Sequence, residues 1–163
     1  MKFHKGKWTP KKPEKYMGDP TNIIYRSSWE RDCFRWLDNN TDVVKWVSEE
    51  VVIPYTCATD GRKHRYFIDL YFVTKKGNKY LIEVKPKAQT QLPTSGKKTK
   101  KYLNEAMTYA KNQSKWKAAT EFAKDNGAVF QVWTEETLHD LGIRNNKGFK
   151  KLKPLPKPKK RKK

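Results

Sequence analysis

Acidic residues are scarce in this chain, long apolar runs are missing and cysteine is nearly absent. Only 17 Asp+Glu stand against 37 Lys+Arg in 163 residues, leaving a net charge of +20. The longest apolar runs are about five residues, as in Val51–Val52–Ile53–Pro54–Tyr55, against the ~20 that a membrane-spanning helix needs. Cys33 and Cys57 form no CxxC pair, so neither a disulfide framework nor a zinc motif is expected. Met1–Lys15 has no apolar stretch, so no cleaved signal peptide is expected. Apolar residues at 36% and aromatics at 13% suffice for one modest core. The expectation is a strongly basic intracellular protein of one domain with tails.

The charge is concentrated at the ends. Residues 1–15 carry a net +5, residues 150–163 a net +9 with no acid, and residues 16–149 a net +6. The final run, Lys150 to Lys163, holds three prolines and too little apolar surface to fold alone. We read a basic N-terminal arm over 1–15, a folded domain over 16–149 and a Lys/Pro-rich tail over 150–163. Such arms suit a polyanion, and nucleic acid first among them, but phosphate attraction carries no sequence information.

Within the domain, 16–26 reads as an ordered loop. Ser27–Ser28–Trp29–Glu30 fits a capping box, which predicts a helix over about 28–38. Val43–Val47, Val51–Tyr55, Arg65–Val73 and Tyr80–Lys85 read as strands, with a tight turn at Lys75–Asn78. Pro86–Lys98 reads as a long loop. Lys100–Asp125 is helical, Asn126–Gly127 caps it, Ala128–Trp133 is a last strand and Thr134–Leu141 a short helix. A crossover helix between strands 80–85 and 128–133 requires parallel neighbours. The expected fold is α/β: a mixed sheet flanked by helices.

Charged residues stand where apolar ones are expected. On a helical wheel of about 100° per residue, Trp29, Trp36, Cys33, Leu37 and Phe34 fill one arc. Glu30 falls inside it, whereas Arg31, Asp32, Arg35 and Asp38 fall outside. Capping alone would account for Glu30. Asp69 interrupts Tyr66–Val73, the most strand-like run, and a buried Asp is costly without a partner. In Leu81–Ile82–Glu83–Val84–Lys85, Glu83 and Lys85 share one face of a strand. A solvent-facing charge pair is the plain alternative. If the hairpin pairs these strands, Asp69 and Glu83 sit close together. Paired carboxylates call for a neutralising cation, and Mg²⁺ or Mn²⁺ prefers oxygen ligands. With a lysine beside them they make a phosphodiester hydrolysis site.

Asp69 followed by Glu83-x-Lys85, with Glu30 on a preceding helix, resembles the PD-(D/E)XK nuclease superfamily. The wider string looks like its TnsA-type endonuclease branch. That string runs through Tyr25-Arg26-Ser27-Ser28-Trp29-Glu30, Trp46, Glu49-Glu50, Ile53-Pro54-Tyr55, His64-Arg65-Tyr66-x-x-Asp69 and Glu83-Val84-Lys85-Pro86-Lys87. Within that branch it is most similar to nucleases of large tailed phages that act at head completion. The resemblance covers roughly residues 13–140, and Ile68 stands where the superfamily's name has Pro.

The resemblance implies an αβββαβ core and a Mg²⁺-dependent endodeoxyribonuclease, with Mn²⁺ as a substitute. Glu30, Asp69 and Glu83 would be metal ligands, joined by the backbone carbonyl of Val84, and Lys85 would be the catalytic lysine. Gln89, Lys87, Lys97, Lys98, Lys159, Lys160 and Arg161 are candidate DNA contacts. The substrate would be double-stranded DNA, processed after packaging and before head–tail joining, in the virion head or in the host cytoplasm during assembly. Portal or head–tail connector proteins are candidate partners, as is a second copy of the chain; a membrane is not. Competing readings are a non-catalytic DNA-binding or plugging protein of the virion head, and an RNA-binding protein, which charge alone favours. His64, just before the Asp69 strand, is a candidate for the site rim.

Overall fold

The computed structural model describes residues 5–94 and 99–144. The tail 150–163 lies outside the described residues, and with it Lys159, Lys160 and Arg161, as do Lys97 and Lys98. Among the described residues, eight strands and three α-helices follow in chain order. They are β1 (Gly6–Trp8), β2 (Ile23–Tyr25), α1 (Ser28–Asn39), β3 (Val43–Ser48), β4 (Val52–Thr56), β5 (Lys63–Phe67), β6 (Leu70–Thr74), β7 (Lys79–Val84), α2 (Lys100–Asp125), β8 (Ala128–Trp133) and α3 (Glu135–Asp140).

The central sheet has the order β3-β6-β7-β8. Strands β3, β6 and β7 are antiparallel neighbours, and β7 pairs parallel with β8 from Lys79↔Ala128 to Val84↔Trp133. Helix α2 makes the crossover, as the sequence requires. Gly127 ends it at φ +64° and Gly77 turns the β6–β7 hairpin at φ +83°, both left-handed backbone that glycine adopts without strain.

Alternation along β7 separates two packed layers. Ile82 packs on the α1 side with Cys33, Phe34, Leu37, Trp46 and Trp133. Leu81 packs on the α2 side with Tyr66, Ile68, Trp116 and Ala119. Glu83 shares the face of Leu81 and is 4% exposed. It is therefore not the solvent-facing charge of an amphipathic strand.

The strand expected over Arg65–Val73 is two strands. β5 pairs with β4 from Phe67↔Val52 to Lys63↔Thr56, and β6 pairs with β3. The chain changes partners at Ile68–Asp69, opposite the β3–β4 corner at Glu49. There the Glu49 amide donates to the Ile68 and Asp69 carbonyls, and the Ile68 amide donates to Val51. Glu49 sits at φ +55°, which for a non-glycine residue marks a corner held by its surroundings.

The N-terminal segment also differs from the expected arm. β1 pairs antiparallel with β2, a strand inside the stretch read as loop. Trp8 packs edge-on against Phe34 at 5.8 Å and Trp46 at 5.7 Å. Helix α1 has no basic residue in its last turn. Lys15 supplies one from outside, its Nζ donating to the Leu37, Asp38 and Asn40 carbonyls at 2.7, 2.9 and 2.9 Å. Leu37 and Asp38 have carbonyls of the kind a helix end leaves unpaired, and the Asn40 carbonyl also accepts from the Val43 amide. Asp38, expected outside the apolar arc, is buried because it accepts from the Lys11 and Lys12 amides.

Candidate active site

The site forms where the sheet loses its regular ladder. The Lys85 amide donates across to the Trp133 carbonyl of β8 at 2.9 Å. The Val84 amide must point the other way, toward β6, whose pairing with β7 ends at Leu70↔Ile82. The Asp69 carboxylate fills the vacated position, Oδ2 accepting from Val84 N–H at 2.8 Å. An Asp in this strand-like run therefore caps a broken ladder and faces the end of β7.

Glu30 reaches the same place from α1. The Ser27 hydroxyl accepts from its amide at 3.2 Å, and its own Oε2 accepts from the Arg26 amide at 2.8 Å. The return bond of the expected capping box, from the Ser27 amide, is replaced by this one from the Arg26 amide, and the carboxylate stays at the corner. Each of Glu30, Glu49 and Asp69 has a carboxylate oxygen within 4.8 Å of the other two. Burial pushes the Asp69 carboxyl well above its usual range, and the Glu83 carboxylate pushes it further. Burial also raises Glu30, opposed by the Arg26 amide and reinforced by Glu49. Buried carboxylates, placed as Asp69 and Glu30 are, resist ionising unless positive charge is near, and Arg26 Nε stands 3.3 Å from Glu49 Oε1.

Glu83 and Lys85 project together, as the alternation required, with Nζ 3.4 Å from Oε1. The other oxygen of Glu83 accepts from the Tyr66 hydroxyl at 2.6 Å. Burial and Glu83 both raise the Tyr66 pKa, which keeps the phenol a donor. Lys115 of α2 places Nζ 5.3 Å from the centre of the Tyr66 ring. Its half-burial lowers its pKa, with Glu83 opposing.

The donor set fits a hard divalent cation. It offers carboxylate oxygens only, and two oxygens across a Mg²⁺ ion at about 2.1 Å each stand about 4.2 Å apart. Glu30 and Asp69 come together, whereas Glu83, the third expected ligand, stands beside them outside the set of oxygens within 4.8 Å of one another. Glu49 joins them, although it was not among the expected ligands. An acid pair between two short strands looks like any turn charge, and only the corner brings it inward. Tyr66 and Lys115 were missed as well, since an aromatic in a strand and a lysine in a basic helix carry no distinguishing signal.

Other expected residues lie elsewhere. Lys87 is engaged at the start of α3, its Nζ 2.7 Å from Glu136 Oε1 and its amide 3.0 Å from Glu135. Gln89 is exposed on a 3-10 turn over Lys87–Thr90. His64 stands at the far end of β5 from Asp69 and contacts Asp60, so it is not at the rim.

Residues 40–135 match the family described as TnsA-like endonuclease N terminal. The chain is also 44% identical over 148 residues to the head completion nuclease of Enterobacteria phage T4, covering 86% of this chain and 97% of that protein. The family match includes Glu49, Asp69, Glu83 and Lys85, and Glu30 lies before it.

Proposed function

The chain belongs to the TnsA-like endonuclease family, and from that premise we propose that it hydrolyses DNA phosphodiesters at the corner where Glu30, Glu49 and Asp69 meet Glu83 and Lys85. The observation that supports this most is the three-carboxylate cluster beside the Glu83–Lys85 pair. In this reading Glu30, Glu49, Asp69 and Glu83 hold a divalent metal, Mg²⁺ or Mn²⁺, with the Val84 carbonyl as a further donor. The cation would neutralise the carboxylates and stabilise charge on the phosphate.

The chain's own groups do the rest. Lys85 is partly exposed at 26% and so is reachable by a phosphate. Its ammonium donates to a phosphate oxygen as charge builds there. Tyr66 holds the Glu83 carboxylate in place. Lys115 adds positive potential from α2. The tail 150–163 contributes salt-sensitive affinity for the duplex.

By analogy with the phage T4 relative, the setting is head completion: trimming of packaged DNA in the virion head before tail attachment. Portal or connector proteins are the neighbours in this reading, and two copies cut the two strands. Among the described residues no helix is long and apolar enough to cross a membrane. Cosedimentation with DNA-filled heads and light scattering of the purified chain test these assignments. Absence from heads, or a monomer at cleaving concentrations, would reject them in turn.

The decisive experiment is cleavage of supercoiled plasmid in Mg²⁺ and in Mn²⁺. Wild type should nick it, and Glu83→Ala should be slower by about 10²–10³-fold or more while still binding DNA. Equal rates would reject the site. Deleting 150–163 should preserve cleavage at low salt and flatten the salt dependence of binding.

Tyr66→Phe tests the positioning of Glu83. The lost donor leaves one buried carboxylate oxygen unpaired, costing about 1–3 kcal/mol of stability. The Mg²⁺ concentration for half-maximal rate should rise several-fold, with DNA affinity unchanged. A purely structural role would lower stability and leave that midpoint where it was.

A further inference from the structure

Cys57, Asp60 and His64 lie apart from the nuclease corner, at the other end of the β4–β5 ribbon. Five residues of strand separate the two places, about 17 Å. The thiol, one carboxylate oxygen and one imidazole nitrogen of this trio all lie within 4.8 Å of one another. We propose that they form a second metal site, for a thiophilic divalent cation of the zinc type.

The loop that carries them is built as a frame. The Cys57 amide donates to the Arg62 carbonyl at 2.9 Å, and the Gly61 amide donates back to the Cys57 carbonyl at 2.8 Å. Asp60 Oδ1 accepts from the Arg62 amide at 2.8 Å, which leaves Oδ2 to face His64 Nε2 at 2.7 Å. The His64 ring stacks on Tyr55 at 5.7 Å. Thr59 Oγ1 stands 3.0 Å from the Cys57 sulfur, placed to donate to a thiolate. The Ala58 amide donates to Ser114 Oγ at 3.1 Å, tying the loop to α2.

The donor chemistry selects the ion. One sulfur, one imidazole and one carboxylate suit Zn²⁺, whereas Mg²⁺ and Mn²⁺ favour the all-oxygen cluster at the corner. In a tetrahedral shell with bonds of about 2.0–2.3 Å, neighbouring ligand atoms stand roughly 3.3–3.8 Å apart. An ion entering here takes the place of the proton between Asp60 and His64, spreads that contact by under about 1 Å and draws the sulfur inward. The fourth position stays open to water. A surface ion pair would explain Asp60 and His64, and Cys57 is also packed in the α2-side core at 2% exposure; neither explains why its sulfur stands within reach of both polar side chains. The consequence is a clip across the hairpin tip, so the ion stabilises the ribbon against α2.

Cobalt titration of the chelator-treated full chain tests this without reference to cleavage. A thiolate-to-Co²⁺ charge-transfer band should appear, saturate at one ion per chain and bleach when Zn²⁺ is added. Cys57→Ser and His64→Ala should abolish it, each confirmed folded by circular dichroism, with Asp60→Asn as the milder variant. Cys33→Ala and Asp69→Asn should keep it. Zn²⁺ should raise the melting temperature of wild type and Asp69→Asn but not of folded His64→Ala. No band in wild type, a band that survives Cys57→Ser, or a band lost in Cys33→Ala would overturn the proposal.

Discussion

Asp69→Asn is expected to abolish DNA cleavage and, in chelator, to raise the melting temperature. The amide keeps an oxygen for the Val84 N–H but brings no charge next to Glu83 and Glu30. In the folded protein the Asp69 carboxyl sits well above its ordinary 3.8, first because it is buried and then because Glu83 faces it. In the unfolded chain it ionises near its ordinary value. The folded state therefore binds more protons than the unfolded one as pH rises above the unfolded value. Wild-type stability should fall with pH until the raised folded value is passed, each unit of elevation costing about 1.4 kcal/mol. Asn removes that loss, so the variant should melt a few degrees higher at pH 8. Mg²⁺ should stabilise wild type and have much less effect on Asp69→Asn. Scanning calorimetry across pH with chelator or Mg²⁺ reads all of this. A variant less stable than wild type at pH 8 in chelator would contradict the account.

Lys15→Met and Trp8→Ala should destabilise the whole domain. Lys15 makes three charge-assisted hydrogen bonds to the end of α1, and Met leaves those carbonyls without it, a loss of about 2–3 kcal/mol. Trp8 completes an aromatic cluster with Phe34 and Trp46, and truncation should cost about 3–5 kcal/mol. Against a total of roughly 5–15 kcal/mol, removing residues 1–15 altogether should leave little folded protein at 37 °C. Urea midpoints measure the point variants. If the deletion melts like wild type and loses only DNA affinity, the segment is an arm after all.

This second case shows where sequence reading falls short. Six lysines in the first 15 residues look like solvated charge, and composition cannot reveal that one of them caps a helix more than twenty residues later. Asp38 was misplaced for the same reason: its wheel position is polar relative to α1, but residues 11 and 12 cover it. Long-range cover leaves no local periodicity.

The sequence by itself determined the order of the elements from α1 onward apart from the β5–β6 break, the hairpin turn, the parallel crossover, and the placement of Glu83 with Lys85 on one strand face. These follow from side-chain period and turn chemistry, which act over a few residues. It also carried a resemblance specific enough to name the family. Only the tertiary structure decided that the Arg65–Val73 run breaks at Asp69, because there the run passes from β4 to β3 as its partner, opposite the β3–β4 corner. The same corner turns Glu49 inward and sets Asp69 on the Val84 amide. Contacts of this kind depend on which strand lies opposite, and that is settled by the packing of the whole domain.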